Sequence, residues 1–130
     1  MKTFVCHLNI SQEVLKEISE NIAMHNKESG GILGSTDGKT IDAFYFDLGI
    51  ESKNNEYVPN ALLLNDILLE WEKRNIEFLG MIHSHFSYAS LSYMDLEYAR
   101  TVMNVNAINE IIMAIYFMKN DSIYLYKVQK

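Results

Sequence analysis

Residues 80–95 read GMIHSHFSYASLSYMD, and the folding of this stretch decides the rest of the chain. An apolar run, IEFLGMIH (76–83), leads into it and reads as a β-strand. On a strand, residues two apart point to one side, so His83 and His85 aim together while Ser84 aims away. SHFSYASL is then a loop. SYMDLEYARTVMNV (92–105) is a helix, with Ser92 as its N-cap and Asp95 in its first turn. The N-terminus of that helix should face the C-terminal end of the strand.

This placement has two chemical readings. Two imidazoles and a carboxylate can share one zinc ion, with a fourth position left open for water. Equally, a histidine pair can be a partly solvated strand end, and Asp95 a plain helix cap. The two roles of Asp95 are compatible, because one carboxylate oxygen can bind metal while the other caps.

Working outward, TFVCHLNI (3–10) reads as a first strand. A helix follows it, with Val14, Leu15, Ile18 and Ile22 at helical spacing and Ser11 as N-cap. ESGGILGS (28–35), the turn signal TDGK and TIDAFYFDLGI (40–50) form a strand–turn–strand unit. Residues 51–58 are polar and read as a loop. From Pro59 a second helix runs through PNALLLNDILLEWEKRN, with Leu62, Leu63, Ile67 and Trp71 as its core stripe. NEIIMAIYFMKNDSIYLYKVQ closes the chain as a hairpin turning at KND. The order β-α-β-β-α-β-α-β-β is that of an α/β (α+β) fold, and 130 residues suit one domain, 1–130.

Charge narrows the function. A net charge of -6 argues against nucleic acid, which needs a basic face to replace counterions. The single cysteine, Cys6, excludes an internal disulfide, and it reads as core packing. MKTFVCHLNI does not read as a signal peptide, and the longest apolar run, IIMAIYFM (111–118), is too short to span a bilayer. The expected setting is cytoplasmic, away from membranes. The aromatic strands DAFYFDL and SIYLYKV leave room for a homodimer.

A zinc hydrolase also needs a general base. Glu28 is a candidate, and it is followed by Gly30 and Gly31, which leave room for another backbone or a substrate chain. The alternative is a solvated residue in a helix-to-strand turn.

Taken together, Glu28 in ESGGILG and the later GMIHSHFSYASLSYMD resemble the JAMM motif of the MPN-plus (JAB/MPN) metalloprotease family, in its compact prokaryotic form. The resemblance runs over residues 3 to 128. It implies a mixed central sheet, curled and flanked by helices. It implies that His83, His85 and Asp95 are ligands of one Zn2+, that Glu28 is the acid/base that activates water, and that Ser92 helps hold the oxyanion. It implies hydrolysis of an amide bond, often the isopeptide linkage of a ubiquitin-like protein or the tail of a sulfur-carrier protein. Gly30 and Gly31 would then border the substrate. The chain departs from the family pattern in two places. Phe86 stands where proline is usual, and the six residues from Phe86 to Leu91 make the loop one residue shorter. Both bear on where Ser92 and Asp95 sit. The rival reading is a scaffold of the same fold that binds a ubiquitin-like partner without turnover. A zinc deaminase is disfavoured, because its Pro-Cys-x-x-Cys element cannot be built from one cysteine.

Overall fold

The structure is a computed structural model that describes residues 1–52 and 56–130. Part of the loop read at 51–58 therefore lies outside the described residues. The elements are β1 (Lys2–Val5), β2 (Asn9–Ile10), α1 (Gln12–Glu20), β3 (Gly30–Ser35), β4 (Thr40–Ile41), β5 (Ala43–Asp47), α2 (Ala61–Lys73), β6 (Glu77–His85), α3 (Tyr93–Asn106), β7 (Glu110–Phe117) and β8 (Ser122–Gln129). Six strands form one sheet in the order β1-β8-β7-β6-β3-β5, and β2 and β4 form a small separate ribbon. Within the large sheet every pairing is antiparallel except β6 with β7. Parallel neighbours need a crossover, and α3 supplies it. The sheet is thus mixed and flanked by three helices, as an α/β fold requires.

Alternation along the strands sorts the core onto the two faces of the sheet. Leu33, Phe44, Ile82 and Ile112 pack against Val14, Ile18 and Ile22, the last just beyond α1. Ile32, Met81, Ile111 and Met113 pack on the other face against Leu64 and Trp71 of α2 and Ala99 and Met103 of α3. His83 and His85 share the parity of Met81, so they face the side of α2 and α3. Ser84 faces the side of α1.

Two boundaries and one buried stripe differ from the sequence reading. The first strand is two: β1 pairs with β8, and the chain then leaves the sheet so that β2 can pair with β4. The stretch 40–50 breaks at Asp42, whose carboxylate turns to accept the Thr36 N–H at 2.8 Å, and it ends as a strand at Asp47. The stripe on α2 is shifted. Leu62 is 82 % exposed, whereas Leu64 and Trp71 are buried with Ile67 and Leu68 packed beside them. Asn60 caps the helix through Leu63 N–H and so sets its phase. The closing hairpin turns where expected, with Asp121 in the left-handed region at φ 52°.

Gly80 marks the tightest approach between strands. A Cβ there would fall on the Ile112 carbonyl group of β7, which is backbone and has nowhere to move. Gly80→Ala should therefore destabilise the protein by the upper end of about 1–3 kcal/mol or beyond. The check is a urea unfolding midpoint that drops at unchanged slope.

Candidate metal centre

His83 and His85 lie at the C-terminal end of β6, on one side of the strand. His83 Nε2 and His85 Nε2 lie 2.8 Å apart. Asp95 approaches them from α3, with Oδ1 3.0 Å from His83 Nε2 and Oδ2 3.4 Å from His85 Nε2. All three residues are buried. The carboxylate is aimed by the helix start. Ser92 Oγ accepts the Asp95 N–H at 3.1 Å, and Asp95 Oδ2 accepts the Ser92 N–H at 2.8 Å. This reciprocal capping box satisfies two orphan donors of the helix and leaves Oδ1 directed at the imidazoles. Asp95 therefore caps α3 and faces the histidines at once.

The donor set fits a small cation. Ligands about 2.0–2.1 Å from a tetrahedral zinc are separated by about 3.3 Å. With one donor atom taken from each residue the three lie within 4.8 Å of one another, and two of the separations, 2.8 Å between the imidazoles and 3.0 Å from His83 Nε2 to Asp95 Oδ1, fall a little short of that value. Two imidazole nitrogens and a carboxylate are also the ligand types that zinc takes. Burial alone raises the Asp95 carboxyl pKa, but hydrogen bonds from His83 and His85, the His83 charge and the Ser92 N–H outweigh it. The carboxyl is held well below the usual carboxylate range, so it is in the ionised form a metal requires. His85 Nδ1 is buried without a hydrogen-bond partner among the described residues. Its ring is held by packing, with the His83 ring at 4.6 Å and the Tyr88 ring at 4.5 Å.

Glu28 reaches the same cleft from the segment before β3. Strand pairing sets its distance from the histidines: Gly30 is opposite His83, and Ser29 and Ser84 exchange Ser84 N–H to Ser29 O at 2.9 Å and Ser29 N–H to Ser84 Oγ at 3.0 Å. The Glu28 carboxylate is half-buried and accepts the Tyr57 N–H at 3.4 Å. Ser92 also lines the cleft, as do Tyr88 and Tyr93. Phe86 is outside it, 41 % exposed. The short loop 86–91 thus still delivers Ser92 and Asp95 to the histidines, and the Tyr126 hydroxyl steadies it by donating to the Ala89 carbonyl at 2.7 Å.

Gly30 and Gly31 do not border a substrate, as their sequence context suggests they would. β3 is an inner strand, hydrogen-bonded to β5 on one side and β6 on the other, and both glycines are buried. A Cβ on Gly30 would meet the Ile82 carbonyl of β6, and one on Gly31 the Tyr45 carbonyl of β5. The room these glycines leave is taken by the chain's own strands, so no substrate backbone can enter there. Gly30 also admits a side chain that the sequence reading missed: Tyr57 Cε2 would lie 2.8 Å from its Cβ. The Tyr57 ring stacks on His83 with centroids 6.1 Å apart, and its hydroxyl donates to buried Asp47 at 2.7 Å. Burial, and then Asp47, push that phenol far above its usual range, so it stays protonated. Neither Asp47 nor Tyr57 sits in a recognisable motif. The one hint is an aspartate ending an otherwise aromatic strand, AFYFD.

No protein-family model matches the chain, and a comparison with curated proteins finds no match. Solved structures do match. The solution structure of protein DSY2949 from Desulfitobacterium hafniense aligns with a TM-score of 0.68 at 14 % identity, over 93 % of this chain and 82 % of that one. The crystal structure of AF2198, a JAB1/MPN domain protein from Archaeoglobus fulgidus, aligns with a TM-score of 0.52 at 22 % identity, over 94 % of this chain and 95 % of that one. The fold is therefore of the JAB1/MPN kind, and within it a buried His-His-Asp group could hold a metal ion. Among the described residues no helix is long and apolar enough to cross a membrane.

Proposed function

We propose that this chain is a zinc-dependent peptidase of the JAMM type, hydrolysing an amide or isopeptide bond at the C-terminal tail of a ubiquitin-like or sulfur-carrier protein. The observation that carries the reading is the meeting of His83, His85 and Asp95 in a cleft that Glu28 and Ser92 also line. His83, His85 and Asp95 would hold the ion. A zinc ion there would supply Lewis acidity towards a water molecule and a carbonyl oxygen. Glu28 would take the proton of the attacking water on its carboxylate and return it to the departing amine nitrogen. Ser92 Oγ accepts the Asp95 N–H, which leaves its own O–H for the carbonyl oxygen as charge builds there. Tyr88 and Tyr93 form the apolar wall along which an extended tail lies. A reducing, cytoplasmic setting goes with this reading.

The test is incubation of the zinc-loaded protein with a ubiquitin-like protein carrying a C-terminal extension. Release of the extension, stopped by a chelator, is the expected result. Binding without release at full zinc loading would make the chain a tail-binding scaffold instead.

Ser92→Ala probes two roles in one variant. Loss of the cap should cost about 1 kcal/mol of stability. Loss of the oxyanion donor should lower kcat by roughly 10²–10³-fold, with zinc retained. Thermal unfolding and turnover measured on the same preparation separate the two effects.

A further inference from the structure

Asp47 ends β5 and is 2 % exposed. A carboxylate buried so deeply is costly unless donors surround it. Three do. The Gly49 N–H donates to Oδ1 at 2.9 Å, and Oδ2 accepts both the Tyr57 hydroxyl at 2.7 Å and the Asn60 N–H at 2.9 Å. Hydrogen bonds to a charged acceptor are the short, strong kind. Two of these three donors belong to the segment that runs past the metal centre into α2. A buried charge thus anchors that segment from below.

Tyr57 carries the consequence to the site. Its ring fills a notch that two glycines leave open: its Cε2 would lie 2.8 Å from a Cβ on Gly30, and its Cδ1 3.0 Å from a Cβ on Gly49, whose φ of +81° favours glycine in any case. From that notch the ring lies nearly parallel to the His83 imidazole, at an interplanar angle of 19°. Its backbone N–H donates to Glu28 Oε1. One residue therefore touches both a candidate ligand and the candidate base, and one carboxylate holds that residue in place.

We propose that Asp47 and Tyr57 form a buried latch that positions Glu28 and His83 relative to each other. Both are positioning residues, since neither reaches the reacting atoms. The inference rests on the metallopeptidase reading for its catalytic meaning, but the latch itself can be tested without turnover. A merely structural anchor would change stability and nothing else. A latch also orders the His83 ring and thereby sets how tightly the site takes zinc.

The experiment uses the full chain with Tyr57→Phe, Asp47→Asn and the double variant. The two single changes weaken the same hydrogen bond from opposite ends, and Tyr57→Phe keeps the ring. Zinc affinity is read by competition with a chelator, and the His83 ring by NMR of the metal-free protein. Zinc binding should weaken roughly ten-fold in each single variant, as for other partners that orient a ligand. The His83 ring signal should broaden or split, and the double variant should be no worse than the weaker single one. In hydrolysis, kcat should fall at unchanged KM. Unchanged zinc affinity and an unchanged His83 signal, with only a lower unfolding temperature, would overturn the proposal. If the wild-type protein takes up no zinc or releases no extension, the proposed function fails while the His83 signal still decides the latch. If Asp47→Asn does not fold, Tyr57→Phe decides it alone.

Discussion

His83→Ala should leave the protein without zinc. The proposed ligand set has three members, and the removed imidazole is the one nearest Asp95, with Nε2 3.0 Å from Oδ1. Loss of a partner that only orients a ligand weakens metal binding by about 10–100-fold. Loss of a ligand itself should exceed that range, so metal content should fall from about one ion per chain to near none. Cleavage of a tail should fall to background with it. Metal analysis after dialysis, paired with the unfolding curve of the metal-free variant, is the check. The second measurement matters because Asp95 is buried and loses a hydrogen-bond partner in the same change. A variant that still binds one ion tightly would show that the metal sits elsewhere.

Glu28→Gln should do the reverse: zinc stays and turnover goes. Glutamine keeps an oxygen that can accept the Tyr57 N–H, so the segment beside it has no reason to move. What disappears is the capacity to take a proton from water and pass it to the leaving nitrogen. General acid–base groups contribute about 10²–10⁴-fold, so kcat should fall within that range while KM changes little. Turnover within a few-fold of wild type, at equal zinc content, would remove Glu28 from the mechanism and leave its carboxylate a mere neighbour of Tyr57.

The parts of the site that could be read from sequence are those written in local patterns. Alternation put His83 and His85 on one side of a strand, and the Ser92-x-x-Asp95 spacing marked a helix start. Both patterns extend over a few residues and are governed by backbone periodicity alone. Gly30 and Gly31 misled because a glycine pair reports close approach without saying what approaches. That depends on β3 being an inner strand, with Ala43–Asp47 of the local hairpin on one side and residues 77–83, far away in sequence, on the other. The stripe of α2 was displaced for a related reason. ALLL offers three consecutive leucines, and only the cap at Asn60 and the packing of Leu64 on the sheet select which of them turns inward. Asp47 and Tyr57 were invisible on the same grounds: an aspartate and a tyrosine ten residues apart carry no periodic signal, and their meeting requires the chain to fold back from β5 to α2.

The three donors of the candidate metal centre come from two different layers. His83 and His85 belong to one of the two middle strands of the sheet, and Asp95 belongs to the helix that lies on it. An ion held by all three would act as a rivet between layers as well as a reagent. Stripping the ion should therefore loosen the first turn of α3 before it touches β6 and β7. Amide hydrogen exchange would see this as faster labelling near residues 92–96, with the strands still protected. In such a protein the loss of metal would be a local event, reversible without refolding, and the empty form would remain ready to be reloaded.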